Sequence, residues 1–537
     1  MGLVVSMKRS VFSACLQNQT LSIRRSKPGA ERSKLGDRIA TAAALVVGCL
    51  AIAAIAMPVA SVGFDFERTP NEGWNVYHAA RAAAGEILYT GDPARQVNFP
   101  FLSFYLIGWL KPLFGNLLVI GRAISVISLF CLTLCSAFIV RQLGGRAPEM
   151  LLGAAAALGF IHVQAAAWIG MDEPQMLAEA LSFAGLLCYL SGRPTPLRLA
   201  ACAFLCCAGG FTKPVVAAVP IAVTLDLLWH DRRLCLIWCG CGVATLALFA
   251  GLSYALAGGD VMSEVFTKRP YSWERAAHES KVFLRWHKVA LAVSAIYLCQ
   301  SLPPPRAVLL RASFAAALIV GAFVSGGTGV SYNAFIEPAA LAGIITALAL
   351  GRWRDRLKSF RAGWLAGAVL PMLITVPIAL RSSQDLHALL HAKRTWQTYA
   401  LREAEFHRAT EFLARHRGEA FCDSLLMCFE AGKPLVIEPF SARNAIETRR
   451  LDDAQLTWLF EQHRFAVVEL PDVIFPYPDQ PDRISEVLRD VPRFTATPLH
   501  FTEATLRAID RYYAPAPARF GVAVFYLPND EGSSSDD

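Results

Sequence analysis

The chain has 537 residues, of which 54% are hydrophobic and only 18% carry a charge, and its mean hydropathy is +0.39. About a quarter of the residues in soluble domains are charged, so this composition excludes a purely soluble protein and indicates a membrane protein with some soluble mass. The formal net charge is +8, but the basic residues lie in short clusters between apolar runs. That distribution indicates membrane topology and argues against nucleic-acid binding.

Residues 1–38 are polar and basic, and they predict a disordered cytoplasmic tail. The apolar run at 39–62 is long enough to cross a bilayer, which takes about 20 helical residues. A cleaved signal peptide is the alternative, but its apolar region spans only about 7–15 residues. We therefore expect a retained first helix that enters the membrane from the cytoplasm.

Ten further apolar runs predict a polytopic α-helical membrane domain over residues 39–380. They lie near 119–140, 148–167, 175–191, 197–211, 214–229, 234–257, 288–302, 307–324, 334–350 and 362–380. Alternate connections carry the basic residues Arg141/Arg146, Arg193/Arg198, Arg232/Arg233, Arg306 and Arg352/Arg354/Arg356/Lys358/Arg361. The positive-inside rule places these connections in the cytoplasm, which predicts about eleven transmembrane helices and an outer C-terminus.

The first outer loop, residues 63–118, is too long for a simple connector. Near its start, residues 71–81 combine the carboxylate of Glu72 with Tyr77, His78 and Arg81 at the mouth of the first span. Charged groups there are costly to desolvate and usually mark a substrate path. Glu72 is thus the candidate general base of a membrane-surface enzyme, and the alternative is a solvated loop whose acids only shape a turn.

Other polar residues of the predicted outer side come from at least three separate segments. They are Glu72, Asp172, Glu173, Lys213, Lys268, Arg269, Tyr271 and Asn333. Asp172 and Glu173 precede Pro174 in a short turn, where they either cap the next helix or bind a sugar or a metal ion. The aromatic-rich residues 99–110 predict a helix lying along the membrane interface.

Three basic residues suit the role of counter-charge to a phosphate, namely Lys213, Lys268 and Arg269. For Lys213 the alternative is a side chain that snorkels to the interface. The Gly-rich residues 325–333 lack the Lys and the spacing of a nucleotide-binding loop and face outward. They predict a tight turn with close backbone approach, followed by a helix that starts near Asn333.

Residues 381–530 are predicted to form a small α/β domain on the outer side, followed by a disordered tail at 531–537. Helix-like stretches at 391–417, 452–463 and 482–489 alternate with strand-like stretches at 435–437, 465–470 and 522–527. Cys422 and Cys428 are placed for a disulfide. Most other cysteines lie in apolar runs without the partners that a zinc site needs.

Several short motifs occur in an order and topology that resemble one family. They are Asn-Glu-Gly-Trp at 71–74, Asn-Phe-Pro at 98–100, Gly-Met-Asp-Glu-Pro at 170–174, Phe-Thr-Lys-Pro at 211–214 and the Gly-rich residues 326–333. Together they resemble the landmarks of GT-C membrane glycosyltransferases, which include protein mannosyltransferases with dolichyl-phosphate-mannose donors and aminoarabinose transferases. The chain departs from the pattern at Asn71, where many relatives carry Asp, so the resemblance puts the base on Glu72, or on nearby Asp65 or Glu67.

The resemblance implies a glycosyltransferase of the bacterial inner membrane. It would move a hexose or pentose from a polyprenyl-phosphate donor to a periplasmic glycolipid, glycan or protein. Glu72 is the implied base, a cation among Lys213, Lys268 and Arg269 the implied phosphate contact, and no cofactor is assigned, with a divalent metal ion left open. The residues assigned to substrate binding are Tyr77, His78, Arg81, Asn98, Asp172, Glu173, Lys213, Lys268, Arg269, Tyr271 and Asn333.

Two other classes of protein stay open at this point. A lipid or solute transporter, or a flippase, fits the many spans, but the sequence shows no internal repeat of the kind from which many transporters are built. A non-catalytic binding or assembly protein, whose C-terminal domain holds a partner, is also open, because Asn71 stands where many relatives carry Asp.

Overall fold

A computed structural model describes residues 28–300, 306–357, 363–471, 484, 500–518 and 520–529. The predicted tail over 1–27, nearly all of the predicted helix at 482–489 and the tail at 531–537 lie outside the described residues. The membrane region and its loops contain α1 (Pro28–Ala60), α2 (Pro70–Ala83), α3 (Leu102–Phe114), α4 (Leu117–Gln142), α5 (Ala147–Ala165), α6 (Gln175–Leu190), α7 (Pro196–Gly210), α8 (Ala218–His230), α9 (Arg232–Ala257), α10 (Val261–Val265), α11 (Trp273–Cys299), α12 (Arg306–Val324), α13 (Ile336–Leu357), α14 (Gly363–Arg381) and α15 (Ser383–Leu390).

Each predicted apolar run contains a helix, and seven helices of the described chain are long and apolar enough to cross a membrane. These seven cover Gly36–Gly63, Leu117–Gln142, Ala147–Trp168, Arg232–Ala257, Trp273–Cys299, Ala307–Val324 and Tyr332–Arg356. The predicted runs at 175–191, 197–211 and 214–229 form α6, α7 and α8, which have only 16, 15 and 13 residues. The chain is a multi-pass membrane protein, and the count of about eleven crossings stays a prediction.

One boundary prediction is wrong at the N-terminus, because α1 begins at Pro28 and not after residue 38. Residues 28–38 are mostly Ala, Glu, Lys, Arg and Leu, which are good helix formers, and Pro is favoured in the first helical turn. Hydrophobicity alone marks only the apolar part of such a helix. The polar first turns of α1 therefore extend the helix beyond the apolar part that crosses the bilayer.

A buried ion-pair network lies at one end of the helical bundle. Arg354 Nη2 contacts Glu149 Oε1 at 2.5 Å, and both side chains are almost fully buried. Asp37 contacts Arg354 at 3.2 Å and Arg146 at 3.7 Å. These basic residues come from connections that the positive-inside rule predicts to be cytoplasmic.

The first outer loop folds onto the opposite end of the bundle. Its predicted interfacial helix is present as α3, which begins at Leu102, three residues after the predicted start. Gly108 permits close contact between α3 and α2, because a Cβ atom there would lie 2.8 Å from the carbonyl oxygen of Ala79. Trp74 of α2 packs edge to face against Phe104 of α3, with 5.4 Å between ring centroids.

The C-terminal region contains α16 (Ala392–Arg415), β1 (Glu419–Cys422), α17 (Leu425–Glu430), α18 (Pro439–Glu447), α19 (Asp453–Glu461), β2 (Phe465–Pro471), α20 (Glu503–Tyr512), β3 (Tyr513–Pro515) and β4 (Ala523–Pro528). The sheet has four strands in the order β1-β2-β4-β3. Strands β1 and β2 are parallel, and the other two pairs are antiparallel. This region is the small α/β unit that the alternating pattern predicts.

The strand predictions are only partly correct. Those at 465–470 and 522–527 are confirmed as β2 and β4, whereas residues 435–437 form no strand. Ile437 is apolar because it is buried in the core of the C-terminal region, not because it pairs in the sheet. β1 and β3 have only four and three residues, too few to show an alternating pattern.

Candidate active site

A cavity of about 410 Å³ lies where the first outer loop, several helix ends and the C-terminal region meet. Its apolar wall comes from the ends of transmembrane helices, including Trp168 and Phe323, and from Trp74 and Phe99 of the first loop. The polar lining residues are Thr69, Asn71, Asn98, Glu173, Gln175, Lys213, Arg269, Tyr271, Asn333, Glu438 and His500. Six predicted substrate-binding residues are thus brought together, namely Asn98, Glu173, Lys213, Arg269, Tyr271 and Asn333.

Lys213 lies in the cavity wall next to a carboxylate and an aromatic ring. It is only 6% exposed, so it does not snorkel to a wet interface. Its Nζ forms an ion pair with Glu173 Oε1 and lies 4.7 Å from the centroid of Phe99. Glu173 Oε2 also accepts a hydrogen bond at 2.6 Å from the backbone N–H of Gln175, so the same carboxylate contacts the first residue of α6 and the lysine.

Arg269 supplies a second cation to the cavity. It is half-buried, and within the described residues its guanidinium takes part in no ion pair or hydrogen bond, in contrast to Lys213. The neighbouring Lys268 is exposed and does not line the cavity. Arginine stays protonated at any physiological pH, so Arg269 is an available positive charge facing the cavity.

The Gly-rich turn at 325–333 makes close backbone approaches, as the sequence predicts. A Cβ atom at Gly326 would lie 2.4 Å from the ring of Tyr271, and one at Gly329 would lie 2.5 Å from the ring of Phe440. Gly329 also has a φ of 82°, a conformation that side chains disfavour. The turn therefore holds Tyr271 and the C-terminal Phe440 at the cavity wall.

Glu72 does not line the cavity and is fully buried in the first turn of α2. Arg122 donates to both carboxylate oxygens, from Nε to Oε1 at 2.7 Å and from Nη2 to Oε2 at 2.6 Å. The backbone N–H groups of Arg68 and Asp172 donate to it at 2.8 Å and 2.9 Å. Four donors occupy the roughly four lone-pair sites of a carboxylate. A general base needs a free lone pair toward its substrate, so these contacts favour a positioning role for Glu72.

Arg122, the partner of Glu72, and the nearby Arg68 connect the first loop to other segments of the membrane region. Arg122 also donates to the carbonyl oxygens of Phe64 and Phe66 at 2.6 Å and 2.7 Å. Arg68 donates to the carbonyl oxygen of Gly170 at 2.7 Å. Arg122 is not among the predicted site residues, although an arginine inside the apolar run at 119–140 is itself a signal of function or of a buried ion pair.

Asp172 is not among the residues that line the cavity, and its predicted role in binding stays a prediction. Its backbone N–H donates to Glu72, its backbone oxygen accepts from Asn75, and within the described chain its Oδ2 has no hydrogen-bond partner. Burial, with the nearby Glu72 charge, raises the pKa of Asp172 well above its usual range. A Cβ atom at Gly121 would lie 2.2 Å from its carboxyl carbon, so a larger residue there would force the Asp172 side chain to move.

The two alternative bases, Asp65 and Glu67, also lie outside the cavity. Asp65 Oδ1 accepts a hydrogen bond from Asn116 at 3.2 Å. Glu67 Oε1 accepts from the backbone N–H groups of Gly73 and Leu426, at 3.1 Å and 3.3 Å. Burial raises the pKa of Glu67 to about 8. Glu67 thus joins α2 to the C-terminal region and is not directed at a substrate.

Three other predicted binding residues have structural contacts. The hydroxyl of Tyr77 donates to the carbonyl oxygen of Lys433 at 2.6 Å, which fixes α2 to the C-terminal region. His78 is packed between Trp74 and Phe104, and burial lowers its pKa to about 3, so its ring is neutral. Arg81 forms an ion pair with Glu86 within the first loop. These three side chains do not reach the cavity.

The C-terminal region contributes three cavity residues that the sequence analysis did not identify, namely Glu438, Phe440 and His500. Glu438 accepts hydrogen bonds at 2.9 Å and 2.6 Å from the backbone N–H groups of Phe440 and Ser441, and it caps α18. His500 Nδ1 lies 2.7 Å from Asp423 Oδ1. Within one sequence nothing links these residues to the motifs of the membrane region.

The predicted disulfide between Cys422 and Cys428 is present. Across the described residues, no group of three or more His, Cys, Asp or Glu side chains is arranged to hold a metal ion. A wider groove of about 810 Å³ lies on the C-terminal region near Trp458 and shares none of the predicted site residues. The cavity with Lys213 and Arg269 is therefore the candidate active site.

No protein-family model and no curated protein matches the sequence, but solved structures share its fold. ArnT from Cupriavidus metallidurans bound to undecaprenyl phosphate aligns over 90% of this chain and 98% of its own, with a TM-score of 0.54 and 13% identity. Its apo state has a TM-score of 0.56 at the same identity and coverage. The apo oligosaccharyltransferase of Archaeoglobus fulgidus aligns over 92% of this chain and 75% of its own, with a TM-score of 0.52 and 11% identity.

Identities of 11–13% establish a common fold and not a common activity. The alignments extend over the membrane helices and the C-terminal region alike, since they include nine-tenths of the chain. The aminoarabinose transferase and the oligosaccharyltransferase are both members of the superfamily that the motifs resemble. The chain therefore has the GT-C fold, that of a polytopic membrane protein with a small C-terminal sheet.

Proposed function

We propose that this protein is a membrane glycosyltransferase that moves a sugar from a polyprenyl-phosphate donor to an acceptor on the outer side of a bacterial inner membrane. The observation that carries the proposal is the cavity, in which two cations lie beside polar side chains at the ends of transmembrane helices. A lipid-linked donor must keep its chain in the bilayer while its headgroup reaches water. A site at the ends of membrane helices meets both needs.

The two cations have different surroundings and are assigned different roles. Arg269 has no described partner, so we assign it to the donor phosphate, which a guanidinium binds with two parallel hydrogen bonds. Lys213 is already paired with Glu173, and together they orient the sugar hydroxyl groups and add positive charge near the phosphate. Stabilising the charge that develops on the departing phosphate is usually the largest part of such catalysis.

Likeness in fold supports this reaction class. The ArnT structure holds undecaprenyl phosphate, and a tethered acceptor peptide is present in a structure of the archaeal oligosaccharyltransferase, which aligns with this chain at a TM-score of 0.50. By analogy we propose a polyprenyl phosphate carrier here. Whether the sugar is a hexose or a pentose, and whether the acceptor is a glycolipid, a glycan or a protein, are open for experiment.

The direct test is turnover by the purified protein in nanodiscs with radiolabelled polyprenyl-phosphate sugars and a panel of acceptors. We expect release of free polyprenyl phosphate together with a labelled acceptor. If no donor is turned over while the lipid crosses the bilayer of proteoliposomes, the protein is a flippase or transporter and the proposal is wrong.

Substitution of Arg269 tests the proposed phosphate contact. We expect Arg269→Gln to lower kcat/KM for the donor about 10–100-fold, because a hydrogen bond to a charged group contributes about 1.5–3 kcal/mol. The loss should appear partly as a higher KM for the donor. Lys268→Gln is the matched control, since it removes an adjacent positive charge that lies outside the cavity. Equal effects of the two substitutions would mean that only the overall charge of the loop matters.

A further inference from the structure

The described cavity wall contains three side chains that could accept a proton, and two of them are already engaged. Glu173 binds Lys213 with one oxygen and the N–H of Gln175 with the other. Glu438 accepts hydrogen bonds from two backbone N–H groups at the start of α18. The third is His500, whose Nδ1 is paired with Asp423 while its Nε2 takes part in no hydrogen bond with the described residues.

His500 has the arrangement of a histidine held by a carboxylate. Its Nδ1 lies 2.7 Å from Asp423 Oδ1, and the Asp423 side chain is 6% exposed. A carboxylate on Nδ1 stabilises the tautomer with hydrogen at Nδ1, which leaves a lone pair on Nε2. The His500 ring is 20% exposed, and it packs edge to face against Phe440 at 5.6 Å. Its position is thus fixed from two sides while it lines the cavity.

Asp423 lies at the edge of the sheet where ligands of open α/β sheets generally bind. Asp423 follows the carboxyl end of β1, which is parallel to β2, and ligands of open α/β sheets bind beyond the carboxyl ends of the strands. The disulfide between Cys422 and Cys428 closes the short loop that contains Asp423. The next residues, Leu425 and Leu426, pack directly against Gly73 of α2.

We propose that His500 is the general base of the transfer reaction and that Asp423 is its positioning residue. The inference rests on the glycosyltransferase function proposed above. It assigns the proton acceptor to the C-terminal region, because Asn71 carries no carboxylate and Glu72 is enclosed by four donors.

In the proposed step, Nε2 of His500 accepts the proton of an acceptor hydroxyl group. The acceptor oxygen forms a bond to the anomeric carbon of the donor sugar. The bond between that carbon and the phosphate oxygen breaks, and its electron pair remains on the polyprenyl phosphate. The products are the glycosylated acceptor, the lipid phosphate and protonated His500, which returns its proton to water when the products leave.

The charged groups around His500 set the pH range in which it acts. Burial lowers the pKa of His500, but Asp423 and Glu438 raise it and Arg443 lowers it, with a net shift above the usual value of about 6.5. A protonated imidazole cannot accept a proton. We therefore expect kcat/KM to fall as the pH is lowered through the raised pKa of His500.

The experiment compares wild type, His500→Gln and Asp423→Asn in the nanodisc transfer assay across pH. We expect His500→Gln to lower kcat about 10²–10⁴-fold, the usual contribution of a general base, while the KM for the donor changes little. The acid limb of the pH profile should disappear. His407→Gln is the matched control, because His407 is exposed on α16 and is not among the cavity residues.

A second variant separates chemistry from folding. Partial recovery of His500→Ala activity by added imidazole supports proton transfer at this position, since a structural defect would not respond to a free base. Asp423→Asn should lower kcat and shift the acid limb to lower pH.

The inference is overturned if wild type is active while His500→Gln retains its rate and its acid limb. It is equally overturned if imidazole fails to restore a folded His500→Ala variant that still binds polyprenyl phosphate. An inactive wild type with every donor and acceptor would instead contradict the proposed glycosyltransferase function.

Discussion

Replacement of Glu72 by Gln is expected to destabilise the protein strongly, and not merely to stop transfer. The substitution leaves the guanidinium of Arg122 buried without its counter-charge, and both side chains are fully buried in the wild type. Breaking a buried ion pair by removing one partner costs about 3–5 kcal/mol. We expect a clearly lower midpoint of thermal unfolding in detergent, measured at one scan rate because unfolding of such proteins is often irreversible.

Two further variants make this expectation decisive. Glu503→Gln breaks an exposed pair with Arg507 on α20 and should leave the midpoint nearly unchanged. The double variant Glu72→Gln with Arg122→Gln should be less destabilised than the sum of the single variants, since the two side chains interact directly. A Glu72→Gln protein with a wild-type midpoint and no transfer activity would restore Glu72 as the general base that the sequence predicts.

Replacement of Gly73 by Ala is expected to separate α2 from the C-terminal region. A Cβ atom at this position would lie 2.0 Å from the backbone nitrogen of Leu426 and 2.5 Å from the carbonyl carbon of Leu425. Alanine is the better helix former by about 1 kcal/mol, so local propensity would favour the variant. Overpacking of this kind typically costs about 1–3 kcal/mol, and here the obstacle is backbone that cannot rotate away.

The expected result for Gly73→Ala is loss of transfer together with faster proteolysis of the C-terminal region, because Glu438, Phe440 and His500 leave the cavity wall. Gly242→Ala is the control, since Gly242 lies inside α9 with no atom within 4 Å of an added Cβ. Wild-type protease resistance and activity in Gly73→Ala would contradict the close contact between α2 and the residues after β1.

The membrane organisation was largely predictable because hydrophobicity and charge report directly on the bilayer. Each predicted run contains a helix, and the predicted interfacial segment forms α3. The length of α1 was not predictable in this way. Its first turns at 28–38 are polar, and the extension of a helix beyond the bilayer does not change the apolar signal.

The site residues were predicted less well, and the reason lies in side-chain direction. Glu72 and Glu173 are both acids in segments between apolar helices, yet Arg122 encloses the first while the second reaches the cavity. Likewise Lys268 and Arg269 are adjacent, and only Arg269 lines the cavity. Residue type and spacing identify polar groups near the membrane surface, but not which of two neighbours is directed at a ligand.

The sequence by itself determined that this protein crosses the membrane many times, that short motifs between its apolar runs resemble those of the GT-C family and that Cys422 and Cys428 can pair. These features depend on local hydrophobicity, charge and short motifs, which act over a few residues. Only the tertiary structure decided which charged side chains take part in ion pairs and which remain available to bind a ligand. The fold brings Asp423 into contact with His500, 77 residues away in the sequence, and places His500 in a cavity built mainly by the membrane region. Burial and contact of this kind depend on how distant segments pack.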